Sequence, residues 1–207
     1  MTENELRRMV TGLAEAYANS GKVYEWSDEL NRLIDVYNNH EPLTRGIAYK
    51  PSLGGWCALF VSDLFIETDL ADLMVTEIGA YEMMANAKAW GQWKARGTYI
   101  PKPGDIIVYA YQTTKDGKPY TQYHTGIVTN ADSTIVYTTE GNVQDRVLML
   151  AHSPSDKTIL GYWAIDYASK ANEMNAVLTE IPVPPKKNGT YTLQAVVANN
   201  ATTLKWV

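Results

Sequence analysis

The chain has 207 residues, 45% hydrophobic and 20% charged, enough for one well-buried core and inconsistent with a largely disordered protein. A formal net charge of −5 argues against nucleic-acid binding, which needs a basic face, and against adhesion to anionic membranes. One cysteine excludes an internal disulfide, and without CxxC or clustered Cys and His residues no structural zinc site is expected.

The first residues, Met1-Thr2-Glu3-Asn4-Glu5-Leu6-Arg7-Arg8, carry acids where a signal peptide carries bases, and they lack its apolar region. Synthesis in the cytoplasm without a signal peptide is therefore the expectation. No stretch approaches the roughly 20 apolar residues of a membrane span, so no membrane insertion is expected. Leu6, Met9, Val10, Leu13 and Tyr17 fall on one face of a helix from Thr2 to about Asn19, with Gly21 as its stop. Ser27 followed by Asp28 and Glu29 has the form of an N-cap with an acidic first turn and opens a helix to about Tyr37. Two further helices are predicted, from about Trp56 to Glu67 and from about Ala80 to Gln92.

After Pro101-Lys102-Pro103-Gly104 the period changes to that of strands, over Asp105 to Tyr111, about Tyr123 to Thr129, Thr134 to Glu140, and Leu160 to Tyr167. Turn signals at Lys115-Asp116-Gly117-Lys118 and Asn130-Ala131-Asp132-Ser133 make the first three an antiparallel meander. Helices first and strands after indicate an α+β domain. The segment from Pro182 to Gly189 has a linker's composition, and Thr190 to Val197 behind it is read as one short strand or tail.

Cys57 stands in Leu53-Gly54-Gly55-Trp56-Cys57-Ala58-Leu59-Phe60, two glycines before it and an apolar helical pattern after it. A thiol at a helix N-terminus meets unpaired N–H groups and the positive end of the macrodipole, which favour the thiolate. Cys57, Phe60, Val61, Leu64 and Phe65 also share one face, as a core cysteine would, so periodicity alone does not decide its role.

Of three histidines, His40 and His152 sit in sequences typical of solvated loops, whereas His124 opens a strand. If the following hairpin centres on Asp132, His124 and Glu140 become direct cross-strand neighbours, with Cβ atoms about 5 Å apart. Glu140 would then orient the imidazole of His124. Asn142 shares that face if the strand persists through Gly141. A register slip of one residue would break the pairing.

Four blocks, Gly55-Trp56-Cys57-Ala58-Leu59-Phe60-Val61-Ser62, Pro103-Gly104-Asp105-Ile106-Ile107-Val108-Tyr109, His124-Thr125-Gly126-Ile127-Val128 and Glu140-Gly141-Asn142-Val143, together resemble a CHAP domain. This family of cysteine- and histidine-dependent amidohydrolases and peptidases is related to NlpC/P60 and common in bacteriophage endolysins and bacterial cell-wall hydrolases. The resemblance spans roughly residues 25 to 167 and includes Asn86-Ala87 with Trp90. It implies a papain-like α+β fold with N-terminal helices packed on an antiparallel sheet. Residues 1–180 would be the catalytic domain, and 181–207 a Pro-containing linker and tail.

The resemblance implies Cys57 as nucleophile, His124 as general base and then acid, Glu140 as the group orienting it and Asn142 as an accessory polar group. It implies a structural role for Asp105. Trp56, Tyr109 and Tyr123 are candidates for a substrate groove. Some members bind calcium through an acidic loop before the cysteine; residues 43–56 here contain no Asp or Glu, so neither metal nor cofactor is expected.

The implied substrate is bacterial peptidoglycan, cleaved at an amide as by an N-acetylmuramoyl-L-alanine amidase or a stem or cross-bridge endopeptidase. The implied setting is an endolysin that acts on the wall after holin-dependent release. The alternatives are a papain-like intracellular protease or amidase, and a non-catalytic wall-binding module.

Overall fold

Thr2 and Glu5 form a capping box at the start of helix α1 (Glu3–Ser20), the Thr2 N–H donating to the Glu5 carboxylate at 2.7 Å. Gly21, in the left-handed region, closes that helix. Ser27 caps α2 (Asp28–Asn38), and α3 (Cys57–Glu67) and α4 (Ala80–Ala89) follow close to the expected positions. A computed structural model describes residues 1–179, 193–198 and 201–206, with side chains through residue 176.

The strands are β1 (Trp93–Ala95), β2 (Ile106–Lys115), β3 (Lys118–Ala131), β4 (Val136–Val143), β5 (Arg146–His152) and β6 (Ile159–Trp163). They form one antiparallel sheet in the order β1-β6-β2-β3-β4-β5, so the chain is α+β as expected. Helix α5 (Tyr167–Thr179) follows the sheet. Two further strands, β7 (Leu193–Ala198) and β8 (Ala201–Trp206), pair antiparallel with each other where one strand was expected. The expected linker from Pro182 to Gly189 lies outside the described residues.

Helix α3 is apolar on nearly every side, and Cys57 through Phe65 are all buried, as such a pattern requires. It packs between α2 and the strands β3 and β4. Phe60, Leu64 and Phe65 are fully excluded from solvent, each contributing about 1.5–3 kcal/mol on burial. The helix that begins with Cys57 is thereby anchored in the core.

Asp105 is buried and structural. It accepts from Arg7 at 3.0 Å, from the Tyr99 hydroxyl at 2.8 Å and from the Lys102 N–H at 2.9 Å. Arg7 also donates to the carbonyls of Pro103 and Ile165 and lies over the Tyr167 ring, tying α1 to the sheet. Removing one partner would strand a buried charge, at about 3–5 kcal/mol.

The β2–β3 turn, Asp116-Gly117, has positive φ at both residues, 51° and 74°, as a tight two-residue hairpin requires. Both strands outrun their neighbours: β6 pairs β2 only as far as Tyr109, and β4 pairs β3 only from Ile127. Residues 111–123 therefore form a two-stranded arm projecting past the sheet.

Three elements were not expected. β1 is three residues long, too short for a period to show. β5 lies at the sheet edge, and its run Val147-Leu148-Met149-Leu150-Ala151 is apolar throughout, so its sequence does not alternate. The Leu160 to Tyr167 run is divided: β6 ends at Trp163, and Asp166 accepts from the Ser169 N–H to start α5.

Candidate active site

Cys57 is the first residue of α3, and the Trp56 side chain before it makes no capping hydrogen bond. The leading amides and the positive helix end therefore face the sulfur without a capping side chain. Gly54 delivers the chain to this point at φ 105°, a conformation that L side chains rarely adopt.

His124 comes from β3 and Glu140 from β4, with the His124 Nε2 2.8 Å from Glu140 Oε2. Their relation is diagonal rather than directly opposite. Near the turn Asn130 pairs with Tyr137, a register that, continued, would set His124 against Val143 and turn Glu140 to the other face. A β-bulge intervenes: Thr129 is the extra residue, Val128 pairs with Thr138 and Ile127 with Thr139. This register brings Gly126 opposite Glu140 and leaves His124 two residues along the same face.

Glu140 is almost fully buried and its carboxylate is saturated. Oε1 accepts from the Tyr109 hydroxyl at 2.7 Å, from the Thr138 hydroxyl at 2.6 Å and from His152 Nε2 at 2.9 Å. Burial opposes its ionisation, but the hydrogen bonds from His124, His152 and Thr138 and the charge on His124 prevail and hold it far below the ordinary carboxylate range. An ionised carboxylate only accepts, so His124 Nε2 carries a proton and donates it. Nδ1 is then the ring nitrogen left for Cys57. Burial disfavours the charged form of His124, but hydrogen bonds to Cys57 and Glu140 and the charges on both outweigh it and raise its pKa to about 10.

Close approach explains the glycines of the histidine and glutamate blocks. A Cβ on Gly126 would sit 2.4 Å from Glu140 Cγ and 3.0 Å from the Thr139 carbonyl oxygen. On Gly141 it would meet Phe60 Cβ at 2.6 Å and the Trp56 ring at 2.9 Å. Asn142 has φ 60°, which Asn tolerates well, and the register breaks beside it. This break directs its amide at Gly55, where a Cβ would lie 2.6 Å from Asn142 Nδ2.

Cys57, His124 and Asn142 line one cleft of about 410 Å³, together with residues of α4 and of the β2–β3 arm. Tyr123 is in its wall and meets Tyr81 of α4 edge to face, with ring centroids 5.1 Å apart. Two of the expected groove residues are not. Trp56 and Tyr109 are buried, Tyr109 completely, because one packs under Gly141 and the other points its hydroxyl at Glu140. His152, expected in a solvated loop, instead ends β5 and reaches over Thr138 to Glu140. The run Arg146 to His152, rich in Val and Leu after a turn, was the signal available for that strand. His40 follows α2 and is not among the cleft residues.

Residues 48–142 match the family model of the CHAP domain. The matched segment contains Cys57, His124, Glu140 and Asn142, while β5 with His152 lies beyond it. No curated protein matches the chain.

Proposed function

We propose, with the CHAP domain of residues 48–142 as premise, that the chain is an endolysin-like peptidoglycan hydrolase with Cys57 as its nucleophile. CHAP domains act as cysteine- and histidine-dependent amidohydrolases and peptidases, the class to which cell-wall hydrolases belong. The observation that carries the reading for this chain is the line from helix terminus to buried carboxylate: Cys57, His124, then Glu140 with four donors around it.

His124 pairs as imidazolium with the Cys57 thiolate, its Nε2–H held by Glu140. The sulfur attacks the amide carbon, and the oxygen takes up negative charge near the leading N–H groups of α3, including that of Cys57. Each such donor contributes about 3 kcal/mol in the transition state. His124 gives its proton to the departing amine as the C–N bond breaks, leaving a thioester. Neutral His124 then takes a proton from water, whose oxygen attacks the thioester, and a carboxylic acid leaves as the thiolate returns. Asn142, projecting beside Gly55, is the accessory polar group that orients the bound peptide.

Glu140 has no part in proton transfer. It fixes the tautomer and favours the imidazolium, so it is a positioning residue. The enzyme is made in the cytoplasm and reaches the wall after holin-dependent release.

The test is mass spectrometry of fragments freed from purified Gram-positive peptidoglycan by the native protein and by Cys57→Ala. Fragments from the native protein alone are expected, and their new ends identify the bond. Silence from both on several wall types, with cleavage of casein by the native protein, would favour an intracellular protease. Wall binding without cleavage by either would favour a binding module.

A further inference from the structure

The strand bearing His124 continues outward into the β2–β3 arm. The register Tyr109↔His124, Tyr111↔Gln122, Thr113↔Tyr120 and Lys115↔Lys118 puts Gln122, Tyr120, Lys118 and Lys115 on the face of His124. Gln122, Tyr120 and Lys115 line the same cleft as Cys57.

Charge on this arm is unbalanced. Lys115 and Lys118 are direct cross-strand neighbours, an arrangement of like charges that costs stability. Among the described residues Lys115 enters no ion pair, and its ammonium rests over the Tyr120 ring, 5.6 Å from the centroid. Glu82, the cleft's fixed negative charge, lies 3.8 Å from Arg45, which is itself 2.7 Å from Glu77. Glu82 thus shares Arg45 with Glu77, whereas Lys115, the lysine of the cleft wall, has no carboxylate partner among the described residues.

We propose that Lys115, seated on Tyr120, is a specificity determinant that recognises a free carboxylate of the stem peptide. This rests on the peptidoglycan reading above. His124 and Tyr120 are four residue steps apart along the strand, about 13 Å, so the carboxylate lies roughly three to four extended residues from the scissile amide. Substrates whose carboxylates are amidated lose this contact and keep the rest of the cleft. A like-charge pair on a protruding arm, unfavourable in the free protein, is relieved when an anion binds between the arm and the cleft floor.

Binding is measured by calorimetry on Cys57→Ala protein, so turnover plays no part. The probes are a synthetic stem pentapeptide with free carboxylates and the same peptide with them as primary amides. The free form is expected to bind about tenfold more tightly; Lys115→Gln should bring the ratio to about one, and Lys115→Arg should preserve it. Equal binding of the two forms, binding of neither, or a preference unchanged by Lys115→Gln would overturn the assignment. Hydrolysis of intact wall by the protein with Cys57 present is scored separately, so loss of the carboxylate preference and loss of the hydrolase reading are distinct outcomes.

Discussion

His152 donates through Nε2 to the Glu140 oxygen that His124 leaves free, at 2.9 Å. Two histidines thus hold opposite oxygens of one buried carboxylate, one facing the cleft and the other at the sheet edge. His152 acts only through Glu140, as a positioning residue. His152→Ala is expected to lower kcat/KM about tenfold, the worth of one such hydrogen bond, with far-ultraviolet circular dichroism unchanged. His152→Gln, which restores a donor, should recover part of the loss. An unchanged pH profile in His152→Ala would refute the coupling.

The pH dependence follows from the shifted pair. His124 is raised from 6.5 to about 10, so its contribution to stability is full below pH 6.5 and is lost as pH rises through about 10. Glu140 is depressed from 4.5, so its contribution is present above that value and is lost as pH falls below it. Glu140→Gln should move the alkaline limb of the kcat/KM profile down toward the ordinary histidine range and lower the plateau about a hundredfold or more. The full pH profile of both proteins checks this.

Gly126 and Gly55 should behave differently on mutation to alanine. At Gly126 the new methyl meets backbone at Thr139 as well as Glu140, so Gly126→Ala should cost about 1–3 kcal/mol of stability and displace the carboxylate. At Gly55 it meets the Asn142 side chain alone, so Gly55→Ala should keep the native melting temperature and lose activity. Thermal melts beside wall-clearing rates separate the two.

Asp63, fully buried on α3, has no hydrogen-bond partner for either carboxylate oxygen. Burial first, then the nearby Glu67, push its pKa well above 3.8, against a smaller opposing effect of Arg32. The folded state thus prefers the protonated acid, and stability falls as pH rises above 3.8. Asp63→Asn is expected to raise stability by about 2 kcal/mol at neutral pH, with the gain vanishing toward pH 4. Melting temperatures across that range decide it.

The elements that a single residue or period announces were legible in the sequence: Ser27 as a cap, Gly21 as a stop, Asp116-Gly117 as a turn, and Cys57 at a helix start. The four blocks carried the resemblance, and the family model matches residues 48–142, a shorter segment that holds all of them but Val143. What the sequence hid were relations set by the third dimension. The hairpin arithmetic placed His124 and Glu140 on one face but two residues out of register, because neither the longer turn nor the bulge at Thr129 leaves a compositional mark. Trp56 and Tyr109 look alike to Tyr123 by type, and only packing shows that two lie in the core and one in a cleft wall. His152 was obscured for the same reason as its edge strand, whose two faces are both partly apolar.

The bulge at Thr129 also sets how this hairpin tolerates changes in length. Residues 132–135 form the turn between β3 and β4, where loops can grow without altering which side of the sheet His124 faces. Deleting Thr129 alone would straighten the strand, join the Asn130–Tyr137 and Val128–Thr138 pairs into a regular ladder, and leave His124 on the face of Glu140. A one-residue insertion between Thr129 and His124 would instead turn His124 to the opposite face, so changes of length here belong in the turn or at the bulge.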